Sequence, residues 1–75
     1  MEKSGQLETA LGKYTAALEL DPLNSGFRRN FALCLCRLGR WKEGIAELRE
    51  VLRQNPDDEQ ATRALYLALD QPGAR

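Results

Sequence analysis

The chain contains no histidine, and so it lacks the commonest general base and metal ligand at neutral pH. Cysteine is sparse. Cys34 and Cys36 are the only two, too few and too close for the disulfide framework of a small secreted domain. A reducing, cytosol-like compartment is the default for such a chain, so the expected location is cytoplasmic. An excess of either charge is lacking too, because eleven basic and eleven acidic side chains cancel to a formal net charge of zero. That balance offers no field for nucleic acid or for an anionic membrane surface. Long hydrophobic runs are absent, with charges interrupting every apolar stretch well short of the roughly 20 residues that cross a bilayer. The opening Met1, Glu2, Lys3, Ser4, Gly5 has no apolar core of a signal peptide. At 75 residues the chain is at most one small domain, marginal without a staple or a partner and too small to enclose a deep pocket.

What the sequence does contain is a repeat. Gly5 to Pro22, GQLETALGKYTAALELDP, lies over Gly39 to Pro56, GRWKEGIAELREVLRQNP, at an offset of 34. Gly5 pairs with Gly39, Leu7 with Trp41, Leu11 with Ile45, Tyr14 with Leu48, Leu18 with Leu52 and Pro22 with Pro56. The 4-3-4 spacing of these apolar residues is that of one face of an amphipathic helix. Asp-Pro and Asn-Pro close the two runs, since the residue before proline disfavours helix. Phe27, Phe31 and Leu35 recur as Ala61, Leu65 and Leu69 at the same offset.

Four helices follow, near residues 6–20, 25–38, 41–54 and 58–70, and no alternation of period two competes with them. Asn24 and Ser25 are candidate N-caps for the second helix, and Asp57 or Asp58 for the fourth. Gly39 is expected to end the second helix and Pro72-Gly73 the fourth. The turn at Gly39 and Arg40 is so short that the helices on either side of it must lie antiparallel as a hairpin.

A 34-residue helix-turn-helix period with a turn glycine, an aromatic opening the next helix and the ending Ala17-Leu18-Glu19-Leu20-Asp21-Pro22 resembles the tetratricopeptide repeat. The resemblance covers essentially the whole chain. It implies an all-α fold of antiparallel helix hairpins stacked as an α–α superhelix, with the first helix of each repeat lining a concave groove for peptides. The chain departs from the family's pattern of small residues in three places. Gly44 answers to Ala10, Val51 to Ala17, and Tyr66 to Ala32, a position where two helices cross closely. The resemblance also allows a test for one subtype, the co-chaperones that hold a chaperone's C-terminal carboxylate in a clamp of Lys, Asn and Arg. Asn30 occupies the place of the middle Asn, but Gln60 and Ala64 stand where the next repeat should offer Lys and Arg. A chaperone-tail function is therefore not expected.

No catalytic, metal or cofactor site is legible. Cys34 and Cys36 sit two apart, about 200° around a helix, and cannot chelate one ion or pair with each other. The expectation is one thiol in the core and one on the groove face. Glu43, Glu47 and Glu50 share a solvated face with Lys42, Arg49 and Arg53, where i,i+4 support explains them better than paired-carboxylate chemistry. Phosphate loops, nucleophile elbows and zinc spacings do not occur. Trp41, Phe27, Phe31 and Tyr14 lie on apolar stripes, which makes them core and not a platform for stacking bases. The chain is expected not to be an enzyme.

A surface remains. With Phe31 facing the core, Arg29, Leu33 and Cys36 fall roughly 140° to 160° away on the second helix. Arg63, Leu67 and Asp70 do so on the fourth. By resemblance these faces line the groove, flanked by Asn30, Arg37 and Gln60. Arg29 and Arg63, one repeat apart, could grip an acidic protein or peptide bidentately, against the bland alternative of solvated surface charge. The leading function is a scaffold or adaptor binding a peptide or another repeat in its groove. The alternative is a regulatory or oligomerisation segment of a larger protein, enzymes included. Met1 to Gly5 reads as the tail and turn of a preceding helix and Pro72 to Arg75 as a turn before another, so both ends are expected to expose apolar surface. Head-to-tail self-association, or further repeats if the chain is a piece of a longer array, would cover them, and the competing expectation is that Tyr66 makes the last helix a cap.

Overall fold

In the computed structural model, which describes residues 3–74, the chain forms α1 (Lys3–Leu20), α2 (Ser25–Arg37), α3 (Trp41–Gln54) and α4 (Glu59–Leu69), followed by a 3₁₀ turn at Pro72–Ala74. Each boundary has a local cause. The turn before α2 is closed by the Asn24 amide donating to the Asp21 carbonyl at 3.1 Å, and the turn before α4 by the Asp58 amide donating to Asn55 at 3.1 Å. Asn24 and Asp58 are the N-caps. The Oδ1 of Asn24 accepts from the Phe27 amide at 3.0 Å, and that of Asp58 from the Ala61 amide at 3.0 Å. Every one of these bonds recurs 34 residues later, so the sequence repeat is a backbone repeat. Each cap contributes about 1 kcal/mol to its helix.

Gly39 ends α2 in the left-handed region at φ 83°, where a side chain would strain the backbone. Its amide donates to Cys36 at 2.9 Å while that of Arg40 reaches back to Leu35 at 2.9 Å, the paired bonds of a Schellman ending. The chain therefore reverses within three residues, and α3 returns along α2.

Ala32, Cys36, Ile45, Leu48, Val51, Ala61 and Ala68 form the core, with Trp41, Leu52, Ala64, Leu65 and Ala74 packed against it. It lies between α2, α3 and α4. α1 packs chiefly against α2. Leu11 holds the same place on the apolar stripe as Ile45, yet it is half-buried where Ile45 is buried. The difference follows from placement, since α3 is sandwiched between two helices and α1 is covered from one side.

The two hairpin helices touch most closely at Gly44. A Cβ there would stand 2.5 Å from the Cys36 Sγ and 3.2 Å from the Ala32 carbonyl oxygen. Gly44→Ala should therefore cost about 1 kcal/mol net, an overpacking penalty of about 1–3 kcal/mol offset by about 1 kcal/mol of helix propensity. Urea unfolding of Gly44→Ala, Cys36→Ala and the double variant checks the contact. The double variant should retain more stability than the two single losses predict by addition; strict additivity would mean that the thiol is not what the new methyl meets.

Three expectations need correcting. Gly5 is not a turn residue, because α1 runs through it and the Thr9 hydroxyl donates to its carbonyl at 3.0 Å; Met1 and Glu2 lie outside the described residues. The fourth helix ends at Leu69, ahead of Pro72-Gly73 as expected, but Pro72–Ala74 is not a turn leading away toward another helix. It folds back over α3, so that a Cβ on Gly73 would come 2.8 Å from the Trp41 ring; Arg75 lies outside the described residues. The glutamates of α3 make no i,i+4 pair with its basic residues. Glu43 and Glu50 pair with Arg40 and Arg53 three residues away, while Glu47 reaches across to Arg28 of α2 at 2.6 Å.

Candidate functional site

α2 and α4 occupy equivalent places in successive repeats and contact each other beside α3. Near their N-terminal ends the space between them is bridged by an ion pair. The Arg29 Nη1 donates to the Asp58 Oδ2 at 2.7 Å, while the other oxygen of Asp58 caps α4. The Asp58 side chain is 4% exposed. Burial alone would raise its carboxyl, but hydrogen bonds from the Ala61 amide and the Arg29 guanidinium outweigh that and hold it below the usual carboxylate range.

Toward the C-terminal ends the surface opens into a cavity of about 280 Å³ lined by Leu33, Cys36, Arg37, Trp41, Ala64, Leu67, Ala68 and Gln71. Leucine and alanine side chains, the indole and one thiol make most of its wall. Cys36 is 9% exposed, and burial pushes its thiol up, which keeps it protonated and a poor nucleophile.

Of the nine residues assigned to the groove from sequence, the structure brings Leu33, Cys36, Arg37 and Leu67 together around this cavity, while Asp70 is the exposed C-cap of α4. It places the others apart. Arg29 is turned inward to Asp58, Asn30 is half-buried on α2, and Gln60 is exposed at the start of α4. Arg63 borders a separate, open depression with Pro56, Asp57, Glu59 and Thr62. The two arginines thus do not converge on one site, and Arg29 already has its carboxylate. The wheel could not show this, because the second oxygen of a capping Asp becomes available to Arg29 only once the helices have stacked. The thiols also fall differently, since both Cys34 and Cys36 are buried. Glycine at 44 lets α3 come close enough to cover Cys36.

Trp41, Ala64, Ala68 and Gln71 are lining residues that the sequence reading did not assign to the groove. Trp41 sits on the apolar stripe of α3 and so reads as core, which it partly is. Gln71 lies beyond the helical pattern altogether, and no periodicity signals it. Among the described residues no group of three or more His, Cys, Asp or Glu side chains could hold a metal ion, and no helix is long and apolar enough to cross a membrane.

No solved structure matches the chain. The sequence model of the tetratricopeptide repeat family matches residues 2–69. Repeats of this family generally mediate protein–protein interaction and are typically non-catalytic. With N-caps and the turns that precede them repeated 34 residues apart, and with the family's pattern matched from the first helix to the end of the fourth, the chain belongs to the tetratricopeptide repeat family.

Proposed function

We propose that the chain is a protein-interaction module, a scaffold or adaptor, that takes a peptide in the groove between α2 and α4. The observation that carries this reading is the largely apolar cavity at the C-terminal end of that groove. Leu67 stands at its rim, 68% exposed, and an exposed leucine beside an apolar hollow is surface that a partner can cover. Binding of this kind needs shape and a few anchors with no covalent step. The two free, buried thiols fit a reducing, cytoplasmic setting.

The test is a selection from a displayed random-peptide library against the folded chain. Peptides that use the groove should bind Leu67→Glu at least about tenfold more weakly and bind Arg49→Glu, altered on the outer face of α3, as they bind the parent. Peptides indifferent to Leu67→Glu would place the binding surface elsewhere.

One observation favours a second reading, that of an oligomerisation segment. Ala32 and Leu35 on α2 are 0% and 2% exposed, whereas their counterparts Tyr66 and Leu69 on α4 are 69% and 40% exposed. Tyr66 is exposed itself and so is no lid over that end. A second copy's α1 would not dock there as closely as α3 docks on α2, because a methyl group on Gly44 would already meet Cys36 and Ala32 and the much larger Tyr66 stands at the equivalent of Ala32. A docked helix would have to stand farther off. Sedimentation over a wide concentration range should accordingly find a monomer, and a concentration-dependent dimer lost on Tyr66→Glu would favour the second reading instead.

A further inference from the structure

We propose that the cavity between the ends of α2 and α4 takes one bulky apolar side chain of a partner peptide, and that Arg37 at its rim pairs with a carboxylate next to that side chain. This rests on the groove reading above and goes beyond it by stating the chemistry of the occupant. Size comes first. About 280 Å³ lies at the small end of the roughly 300–1,000 Å³ of ligand pockets and is ample for an anchor side chain delivered by a peptide.

The lining then fixes polarity. Leu33, Trp41 and Leu67 offer no buried charge, and Cys36 stays a neutral thiol because burial raises it. A polar group pushed into this mostly apolar space would lose its water and meet few partners. Gln71 donates one of its amide N–H groups back to the Leu67 carbonyl at 3.3 Å.

Charge complementarity supplies the second half. Four arginines, Arg28, Arg29, Arg40 and Arg53, each hold a carboxylate of this chain. Arg37 is exposed and, among the described residues, joins no ion pair, and it is the one charged side chain in the cavity wall. A planar guanidinium beside an apolar hollow suits a carboxylate whose neighbour is buried. The position also lies away from Asn30 and Gln60, so the anchor would sit at the opposite end of the groove from a carboxylate clamp.

The chain carries its own reporter, since Trp41 is its single tryptophan and lines the cavity. Peptides from the displayed library should be enriched in a large apolar residue with Asp or Glu beside it, and titrating them should shift the Trp41 emission. Arg37→Glu should weaken those peptides at least about tenfold, and a fresh selection against Arg37→Glu should return Lys or Arg at the same place. That reversal separates recognition from a fold defect, which would merely abolish binding. Peptides weakened by Asn30→Ala or Gln60→Ala but indifferent to Arg37→Glu, with Trp41 emission unmoved, would overturn this proposal and leave the groove reading standing. Peptides indifferent to all three and to Leu67→Glu, or a selection that returns none, would overturn both.

Discussion

Leu48→Ala should lower the thermal midpoint by more than about 10 °C and can abolish cooperative folding altogether. Leu48 is 0% exposed and belongs to the one core shared by α2, α3 and α4. Truncating such a leucine removes buried surface and leaves a cavity, at about 2–5 kcal/mol. A core this small supplies only about 3–5 kcal/mol in total, and each kcal/mol moves the midpoint by about 4–8 °C in a domain of this size. Ile45→Ala should be nearly as damaging. Leu11→Ala should cost less, because α1 is covered from one side only. Circular dichroism melts of the three variants check the ranking, and an unchanged midpoint for Leu48→Ala would mean that the 4-3-4 stripe of α3 does not face the core.

Asp58→Ala is the second large loss. The carboxylate caps α4 through the Ala61 amide and receives the Arg29 guanidinium, so two interactions vanish together. A lost cap costs about 1 kcal/mol and a lost charged hydrogen bond about 1.5–3 kcal/mol, which for a partly exposed arginine gives about 2–3 kcal/mol in all. Asp58→Asn keeps the cap and should lose roughly half as much. The pH dependence has a definite sign. Asp58 is held below the usual carboxylate range in the folded chain, so its stabilisation is fully present above its unfolded value of about 3.9. It is lost as pH falls through the lower folded value, because protonation then favours the unfolded chain. Thermal midpoints between about pH 6 and pH 2 should therefore drop less for Asp58→Asn than for the parent. Glu43 and Glu50, lowered by hydrogen bonds from Arg40 and Arg53, titrate the same way in both and do not blur the comparison.

The fold was legible because its determinants are local. Asn24, Gly39 and Asp58 act through bonds to residues within a few positions, and a 34-residue period in apolar pattern and prolines is enough to place four helices within a few residues of where they lie. The site was legible only where helical phase decides it. Leu33, Cys36, Arg37 and Leu67 share one cavity because each projects from the groove side of its helix. Arg29 was misread for a reason that periodicity cannot carry, since its partner lies 29 residues away and is presented by a cap. Trp41 and Gln71 enter the site through the hairpin turn and the 3₁₀ turn, which bring the ends of three elements together. Tyr66 stood out as a departure from the family pattern, but its consequence needed the closeness of Gly44 to Ala32 and Cys36.

The measurement that bears most directly on the account is amide chemical-shift mapping of the labelled chain with a library-selected peptide. The account predicts that the largest shifts fall on Leu33, Cys36, Arg37, Leu67 and Gln71 and on the Trp41 indole, with Lys13 and Arg49 unmoved. Shifts concentrated instead on α1, or around Tyr66 and Leu69, with the cavity residues silent would contradict it.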